Sequence, residues 1–254
     1  MNVGFEPLNE RIYRLRVPFE NLYTSVFLIR RPEGDLLADT ATTQADVERY
    51  ILPALYTGGY LPTDIFVSHN HSDHAGGLPY VAAALPKAAL HMVEPDGLPL
   101  SLAARVRRVK DGDQLGTGTT VWQMPGHTAE MAGLYDAASD TLLSFDGLQL
   151  YGVGQYGTMV SDMPAYLATL ARVEQAGVGR IVAAHDSVGG GAMAEGPAAV
   201  RAYLTACRAA LDHIAACVRR ADVADPAVLC AAWKQQKDLP PVPGATFLAC
   251  RGIY

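Results

Sequence analysis

The sequence predicts an α/β protein with two packed β-sheets and helices on the outside. Three observations support this prediction. Strands and helices alternate along the chain, the strands concentrate in two β-rich halves, and 50% of the 254 residues are hydrophobic. A chain of this length can bury one large core, or one domain with a helical appendage.

The first half alternates short β-branched and aromatic runs with amphipathic or alanine-rich runs. The strands predicted there are Arg11–Val17, Tyr23–Arg30, Asp35–Ala38, Asp64–Ser68 and Ala88–Met92. The helices predicted there are Thr43–Leu55, which Pro53 weakens near its end, and Leu78–Ala84.

The second half begins with short strands separated by turns. The predicted strands are Arg105–Val109, Thr119–Met124, Met131–Tyr135, Thr141–Phe145 and Arg180–Ala184. Two helices are predicted, Met163–Gln175 with Asp162 as its N-cap, and Pro197–Arg219 with one apolar face that packs on the core. A loop at 189–191, and a short helix and extended tail after Arg219, complete the prediction.

Composition and charge narrow the functional classes. The net charge of −6 argues against nucleic-acid binding, which normally needs a basic face. The N-terminus shows no signal peptide, and no apolar run is long enough to cross a bilayer. We therefore expect a soluble, cytoplasmic protein, and a homo-oligomer is compatible with the sequence. The four cysteines do not have the spacing of metal-binding cysteines, and we interpret them as reduced structural thiols. They are Cys207, Cys217, Cys230 and Cys250.

One stretch, Ser68–Gly77, concentrates residues that bind metals. Three of the seven histidines and one aspartate lie there within six positions: His69, His71, Asp73 and His74. The cluster follows a predicted buried strand. A turn at a strand end is a place where a rigid scaffold can aim several side chains at one point.

Further residues of the types that bind metals follow later predicted strands. His127 comes after Thr119–Met124, Asp146 ends Thr141–Phe145, and His185 ends Arg180–Ala184. Together the chain offers five histidines and two aspartates, enough for two metal ions if one carboxylate bridges. Imidazole and carboxylate without thiolate suit catalytic zinc, iron or manganese.

These residues carry a resemblance to a known family. His69-x-His71-x-Asp73-His74 is similar to the H-x-H-x-D-H signature of the metallo-β-lactamase-fold superfamily, and Pro125-Gly126-His127-Thr128 resembles its third-histidine motif. Asp39 resembles the aspartate of the first motif, and we interpret it as a carboxylate that supports the ligands from behind. The resemblance covers about residues 10–190.

The resemblance implies an αββα sandwich formed by a single domain, 1–254, with a C-terminal helical extension and tail at 195–254. It implies two divalent ions, with zinc as the first expectation and iron or manganese as alternatives. The first ion would be held by His69, His71 and His127, and the second by Asp73, His74 and His185. The two ions would be bridged by Asp146. The implied chemistry is attack of a metal-bridging hydroxide on a carbonyl carbon, with Asp73 orienting it or moving a proton.

The ligand set also indicates a branch. A bridging aspartate argues against a true β-lactamase and favours small-molecule hydrolases, such as glyoxalase II-like thioesterases and lactonases. Tyr151 and Tyr156, which follow Asp146, are candidates for substrate contacts, although packing roles explain them equally well. Two alternatives stay open: a mononuclear iron enzyme resembling persulfide dioxygenases, and a non-catalytic metal-binding relative.

Overall fold

The computed structural model describes residues 4–153, 155–188, 190–221 and residue 246. The chain forms two compact units. The first comprises Met1–Gln123 with Ala132–Ser139, and the second comprises Met124–Met131 with Asp140–Tyr254. Within the described ranges, no helix has both the length and the apolar character needed to cross a bilayer.

The first unit contains a seven-stranded mixed sheet in the order β1 to β7. Its strands are β1 Glu6–Pro7, β2 Ile12–Phe19, β3 Leu22–Ile29, β4 Asp35–Ala38, β5 Pro62–Phe66, β6 Ala89–Met92 and β7 Val106–Arg108. Strands β1 to β4 pair antiparallel, whereas β4 to β7 pair parallel. The parallel part places the carboxyl ends of β4 and β5 at one sheet edge, where the histidine cluster begins.

Helices connect the parallel strands. They are α1 Gln44–Asp46, a π-helical turn Val47–Ile51, α2 Leu52–Gly58, α3 Ser72–Ala75, α4 Leu78–Ala84 and α5 Leu100–Ala103. The predicted helix Thr43–Leu55 was too short, because the helical run continues to Gly58. Pro53 lies in the first turn of α2, directly after the π turn. The wider π turn accommodates a proline ring that would clash with the carbonyl of a regular helix.

The helices of the first unit cover one face of its sheet. Alternate strand residues such as Val26, Leu28 and Leu37 pack with Val47 and Leu78 from the helical segments. The side-chain period of two along the strands and the apolar stripe of the helices therefore meet in one hydrophobic core.

A second mixed sheet contains five strands, β8 to β12. They are β8 Thr119–Gln123, β9 Ala132–Asp136, β10 Thr141–Phe145, β11 Arg180–Ser187 and β12 Gly191–Glu195. In the first unit, β8 and β9 form an antiparallel pair. In the second unit, β11 pairs parallel with β10 and antiparallel with β12.

Two long helices belong to the second unit, α6 Met163–Ala176 and α7 Pro197–Ala221. The side chain of Asp162 caps α6 by accepting a hydrogen bond from the backbone N–H of Ala165, as predicted. The predicted apolar face of α7 is buried at Val200, Tyr203, Leu204, Cys207, Leu211 and Ile214. Two mixed sheets flanked by helices, with a C-terminal helix, confirm the predicted fold class.

Several parts of the prediction differ from the structure or lie outside it. The strands β1 and β12 and the helix α5 were not predicted, and β11 is longer than predicted. The predicted short helix and tail after Arg219 lie outside the described residues, apart from the end of α7 and residue 246. Cys230 and Cys250 also lie outside them. Cys207 is a free, buried thiol, in agreement with its predicted structural role. The extent of a single domain over 1–254 stays a prediction.

Candidate metal centre

The histidine cluster of the first unit occupies the turn between β5 and α3. His71 is the N-cap of α3, with extended backbone angles. Asp73 and His74 therefore lie within the helix, whereas His69 and His71 lie before it. Because of this turn, side chains that are two and three residues apart in the sequence, at His69, His71 and His74, form a compact group.

The imidazoles of this group are close to one another. The ring centroid of His69 is 4.6 Å from that of His71 and 4.3 Å from that of His74. Nε2 of His74 is 3.2 Å from Oδ2 of Asp73. His69 and His74 are buried, and His71 and Asp73 are partly exposed. The structure thus brings together the four predicted ligands of this unit.

Asp39 lies behind the cluster, at the end of β4, and is fully buried. Its Oδ1 accepts a hydrogen bond of 2.8 Å from the backbone N–H of Ser68, and its Oδ2 accepts one of 3.0 Å from the Ser68 hydroxyl. Oδ2 also accepts a hydrogen bond of 2.6 Å from Nδ1 of His74. The predicted supporting role of Asp39 fits these contacts, because the carboxylate fixes both the turn and one imidazole.

The environment of Asp39 has opposing effects on its pKa. Burial raises the pKa of this carboxyl above its ordinary value, whereas the neighbouring His74 and the hydrogen bonds from Ser68 lower it. The backbone of Asp39 has a φ of +63°, which is uncommon for a residue other than glycine. A backbone hydrogen bond from Asp39 N–H to the carbonyl of Phe66 holds this conformation.

Two glycines let the cluster pack against the loop that follows Asp39. A Cβ on Gly76 would lie 2.1 Å from the carbonyl oxygen of Thr42, and one on Gly77 would lie 2.0 Å from that of Thr40. Thr40 in turn donates backbone and hydroxyl hydrogen bonds, both of 2.8 Å, to the carbonyl of His74. The absence of a side chain at these positions allows the backbone-to-backbone approach that holds α3 in place.

In the second unit, His127 lies on the loop after β8. Gly126 has a φ of +137°, and a Cβ there would lie 2.5 Å from the Cα of Tyr166 on α6. The Gly126 carbonyl accepts backbone hydrogen bonds from Ser161 and Asp162 at the start of α6. Nδ1 of His127 donates a 2.9 Å hydrogen bond to the carbonyl of Met159. The loop is therefore anchored on both sides of its histidine.

Asp146 follows β10, as predicted, and is 6% exposed. Its Oδ2 is 3.7 Å from Nε2 of His127, and its Oδ1 is 3.3 Å from Nε2 of His185. One carboxylate oxygen thus faces each imidazole. Phe145, directly before it, has a φ of +47° and lies at a register shift between β10 and β11. This irregularity turns the chain where the carboxylate is presented.

The prediction that His185 ends its strand was wrong. Strand β11 continues through Ser187, so His185 lies inside it. The pairing with β12 joins Val182 to Met193 and Ser187 to Gly191, with a register shift between the two. His185 therefore occupies an irregular part of a paired strand. It is 2% exposed and reaches Asp146 from within the sheet.

The remaining predicted residues follow Asp146. Tyr151 and Tyr156 are both partly buried. Val153 and Tyr156 exchange two backbone hydrogen bonds of 2.8 Å, and Tyr151 lies two residues before Val153. The sequence patterns did not mark Gln149, a residue that is 3% exposed and lies three positions after Asp146. That spacing was the only sequence signal for it.

The donor sets of both units fit a divalent metal. Nδ1 of His69 contacts the Ser68 hydroxyl at 2.9 Å, Nδ1 of His74 contacts Asp39, and Nδ1 of His127 contacts the Met159 carbonyl. An outer partner on Nδ1 fixes each ring and leaves Nε2 as the ligating nitrogen, which is the usual arrangement for metal-binding histidine. The described residues thus include histidine and aspartate side chains grouped closely enough to bind a metal ion.

Comparison with known proteins gives a family match over much of the chain. The family model described as Metallo-beta-lactamase superfamily matches residues 20–185. A protein named hydroxyacylglutathione hydrolase from Nitrobacter winogradskyi is 35% identical over 114 residues, which cover 41% of this chain and 44% of that protein. One of the same name from Rhodopseudomonas palustris is 31% identical over 132 residues, which cover 51% and 49%. The chain therefore spans about half the length of these curated relatives.

Solved structures share the fold at lower sequence identity. A metallo-beta-lactamase from Pontibacter korlensis aligns with a TM-score of 0.62 and 15% identity, covering 81% of this chain and 98% of that one. At this identity the likeness concerns the fold alone.

Proposed function

Because the chain belongs to the metallo-beta-lactamase superfamily, we propose that it is a dinuclear metal-dependent hydrolase that cleaves a small-molecule ester, lactone or thioester. The observation that carries the proposal is the position of Asp146, with one carboxylate oxygen toward His127 and the other toward His185. A carboxylate between two imidazoles is the arrangement that a bridging ligand requires.

We propose that seven side chains hold two metal ions. The first ion would be held by His69, His71 and His127, and the second by Asp73, His74 and His185. The two ions would be bridged by Asp146. Imidazole and carboxylate ligands without thiolate support zinc as the first candidate, with iron or manganese as alternatives. When bound, such ions lower the pKa of water and polarise a carbonyl group.

The protein groups around this centre supply orientation and proton handling. Asp73 has a side chain that is 13% exposed, and its Oδ2 lies 3.2 Å from Nε2 of His74. A partly exposed carboxylate at this position can reach both the centre and an entering substrate. We assign it the roles of orienting the attacking water and passing a proton to the leaving group.

Thioesters are the favoured substrate class. The curated relatives are named hydroxyacylglutathione hydrolase, a name that denotes cleavage of a thioester. Tyr151 and Tyr156 are partly buried on the turn that follows Asp146, and we propose that they form part of the wall against which the substrate packs. The cytoplasmic location remains a prediction from the sequence.

Metal analysis combined with a substrate panel tests the proposal. We expect about two metal ions per chain and metal-dependent release of a thiol from an acyl thioester, with esters and lactones assayed in parallel. Asp146→Ala should lose one metal equivalent and at least a hundredfold in kcat/KM, since it removes the bridging carboxylate. Asp96→Asn, at an exposed aspartate, is the matched control and should change neither.

Three results would overturn the proposal. The first is one tightly bound iron per chain with oxygen consumption on a persulfide. The second is a folded, metal-loaded protein that is inactive on the whole panel. The third is full activity and full metal content in Asp146→Ala, which would remove Asp146 from the centre.

A further inference from the structure

Gln149 makes two side-chain contacts that link separate parts of the second unit. Its Nε2 donates a hydrogen bond of 3.4 Å to Oδ2 of Asp146, and its Oε1 accepts one of 3.0 Å from the backbone N–H of Met159. The side chain is 3% exposed. Because the N–H of Met159 must face an acceptor, the amide oxygen points there and the amide nitrogen points to Asp146.

Met159 also contacts His127, which is a second proposed ligand. The carbonyl of Met159 accepts a hydrogen bond of 2.9 Å from Nδ1 of His127. Nε2 of His127 faces the same Asp146 oxygen, Oδ2, to which Gln149 donates. Asp146, Gln149, Met159 and His127 therefore form a closed ring of contacts. A shift of Gln149 would displace both the carboxylate and the imidazole.

The backbone of Gln149 is held independently by Tyr166. The Tyr166 hydroxyl accepts a hydrogen bond of 2.9 Å from the Gln149 N–H and donates one of 3.1 Å to the Gln149 carbonyl. Burial raises the pKa of Tyr166 well above its ordinary value, so the hydroxyl retains the proton that it donates. The main chain of Gln149 is thus fixed, and this fixes the point from which its side chain extends toward Asp146.

We propose that Gln149 is a positioning residue that holds Asp146 and His127 in the geometry needed to bind metal. This inference rests on the proposed function, in which both residues are ligands. A primary amide is suited to the position because it offers one donor and one acceptor. A carboxylate would present a second acceptor to Asp146, and an apolar side chain would leave the Met159 N–H and the Asp146 oxygen without this partner.

The test uses Gln149→Met, which keeps the length of the side chain and removes both hydrogen bonds. Full-length protein is stripped of metal and titrated with Zn²⁺ against a chromophoric chelator. We expect at least one of the two binding steps to weaken by about ten- to a hundredfold. Gln175→Met is the matched control, because Gln175 is exposed on α6. Cobalt-loaded protein should also show a shifted visible absorption band in Gln149→Met only, since the ligand geometry changes.

A second variant separates positioning from folding. Gln149→Asn keeps a buried amide but is one methylene too short to span from Met159 to Asp146. We expect it to fold, judged by circular dichroism, and still to lose at least about tenfold in zinc affinity. Wild-type affinity and an unchanged cobalt spectrum in a folded Gln149 variant would overturn the inference. If the wild-type protein binds no metal pair, the proposed function fails first, and this outcome is seen before any variant is compared.

Discussion

The Asp39 carboxylate accepts a 2.6 Å hydrogen bond from Nδ1 of His74, and both side chains are fully buried. The same carboxylate accepts two hydrogen bonds from Ser68, the residue before His69. One buried aspartate thus supports both ends of the His69–His74 segment. It holds His74 directly, and it holds His69 through the Ser68 hydroxyl that contacts Nδ1 of that ring.

Asp39→Asn should weaken metal binding while most of the fold remains. An amide can replace one acceptor but introduces an N–H₂ group where His74 or Ser68 donates, so at least one of these contacts is lost. We expect zinc affinity to fall by about ten- to a hundredfold, as for other residues that orient metal-binding histidines. The measurement is zinc titration of metal-free protein, with Asp96→Asn as control. Unchanged affinity in folded Asp39→Asn would contradict the assigned role.

Gly77→Ala should destabilise the protein through crowding alone. Gly77 has ordinary backbone angles, φ −79° and ψ −11°, so an alanine is not strained there by conformation. Its Cβ would lie 2.0 Å from the carbonyl oxygen of Thr40 and 2.8 Å from Cγ2 of Val47. Backbone must move to admit it, and we expect a loss of about 1–3 kcal/mol in the free energy of unfolding.

Urea denaturation of metal-free protein measures this loss. Gly4→Ala is the control, because a Cβ at Gly4 has no heavy atom within 4 Å. Since Thr40 donates two hydrogen bonds to the carbonyl of His74, the displacement should also weaken zinc binding. Equal stabilities of the Gly77→Ala and Gly4→Ala proteins would show that the Thr40 loop yields without cost.

Gly126→Ala should combine conformational strain with crowding next to His127. The φ of +137° disfavours alanine, and the Cβ would lie 2.5 Å from the Cα of Tyr166. Gly59→Ala is the control for strain, since Gly59 has a φ of +65° with open space around it and should cost about 1–2 kcal/mol. We expect Gly126→Ala to cost more than this in urea denaturation and to lower zinc affinity as well. A smaller cost than that of Gly59→Ala would exclude the close packing against α6.

The local sequence was sufficient to predict the histidine cluster, whereas Asp39 was predicted from its resemblance to the first motif of the family. His69, His71, Asp73 and His74 lie within six residues, so one turn after β5 determines their positions. The fold class was predictable for a similar reason, because strand and helix periods are local. The same holds for Asp146, which directly follows a strand whose bounds the sequence predicted correctly, Thr141–Phe145.

His185 and Gln149 depend on contacts that local patterns do not encode. The length of β11 comes from its partner β12, Gly191–Glu195, which was not predicted as a strand and begins at the last residue of the predicted loop 189–191. Gln149 acquires its role from Met159, ten residues further along the chain. An isolated glutamine has no periodicity that marks it, and only the folded loop shows that its amide contacts both Asp146 and the backbone of Met159.

Asp64 provides a pH-dependent prediction away from the metal centre. Its Oδ2 accepts a hydrogen bond of 2.5 Å from Arg31, and its Oδ1 accepts one of 2.8 Å from Nε2 of His91. The hydrogen bond from His91, followed by the contribution of Arg31, holds the pKa of Asp64 well below its ordinary value, although partial burial opposes this shift. His91 lies inside β6, and this contact joins it to the neighbouring strand β5.

The depressed pKa fixes the direction of the pH effect. Asp64 in the unfolded chain titrates near pH 4, so its ionised form stabilises the fold above about pH 4. This contribution is lost as the pH falls from there toward the lower pKa of the folded state. Asp64→Asn should therefore cost about 1–3 kcal/mol at pH 7, which is less than for a fully buried pair because the Asp64 side chain is 23% exposed.

Urea denaturation of metal-free protein between pH 7 and pH 2.5 measures this dependence. The difference in unfolding free energy between the wild type and Asp64→Asn should shrink as the pH falls below about 5, because the unfolded chain then binds a proton at Asp64 that the folded protein does not. Asp96→Asn should show no such trend. If the difference instead persists undiminished to pH 2.5, Asp64 contributes through packing or neutral hydrogen bonds, because a contribution from its ionised form must fall once Asp64 is protonated in the unfolded chain.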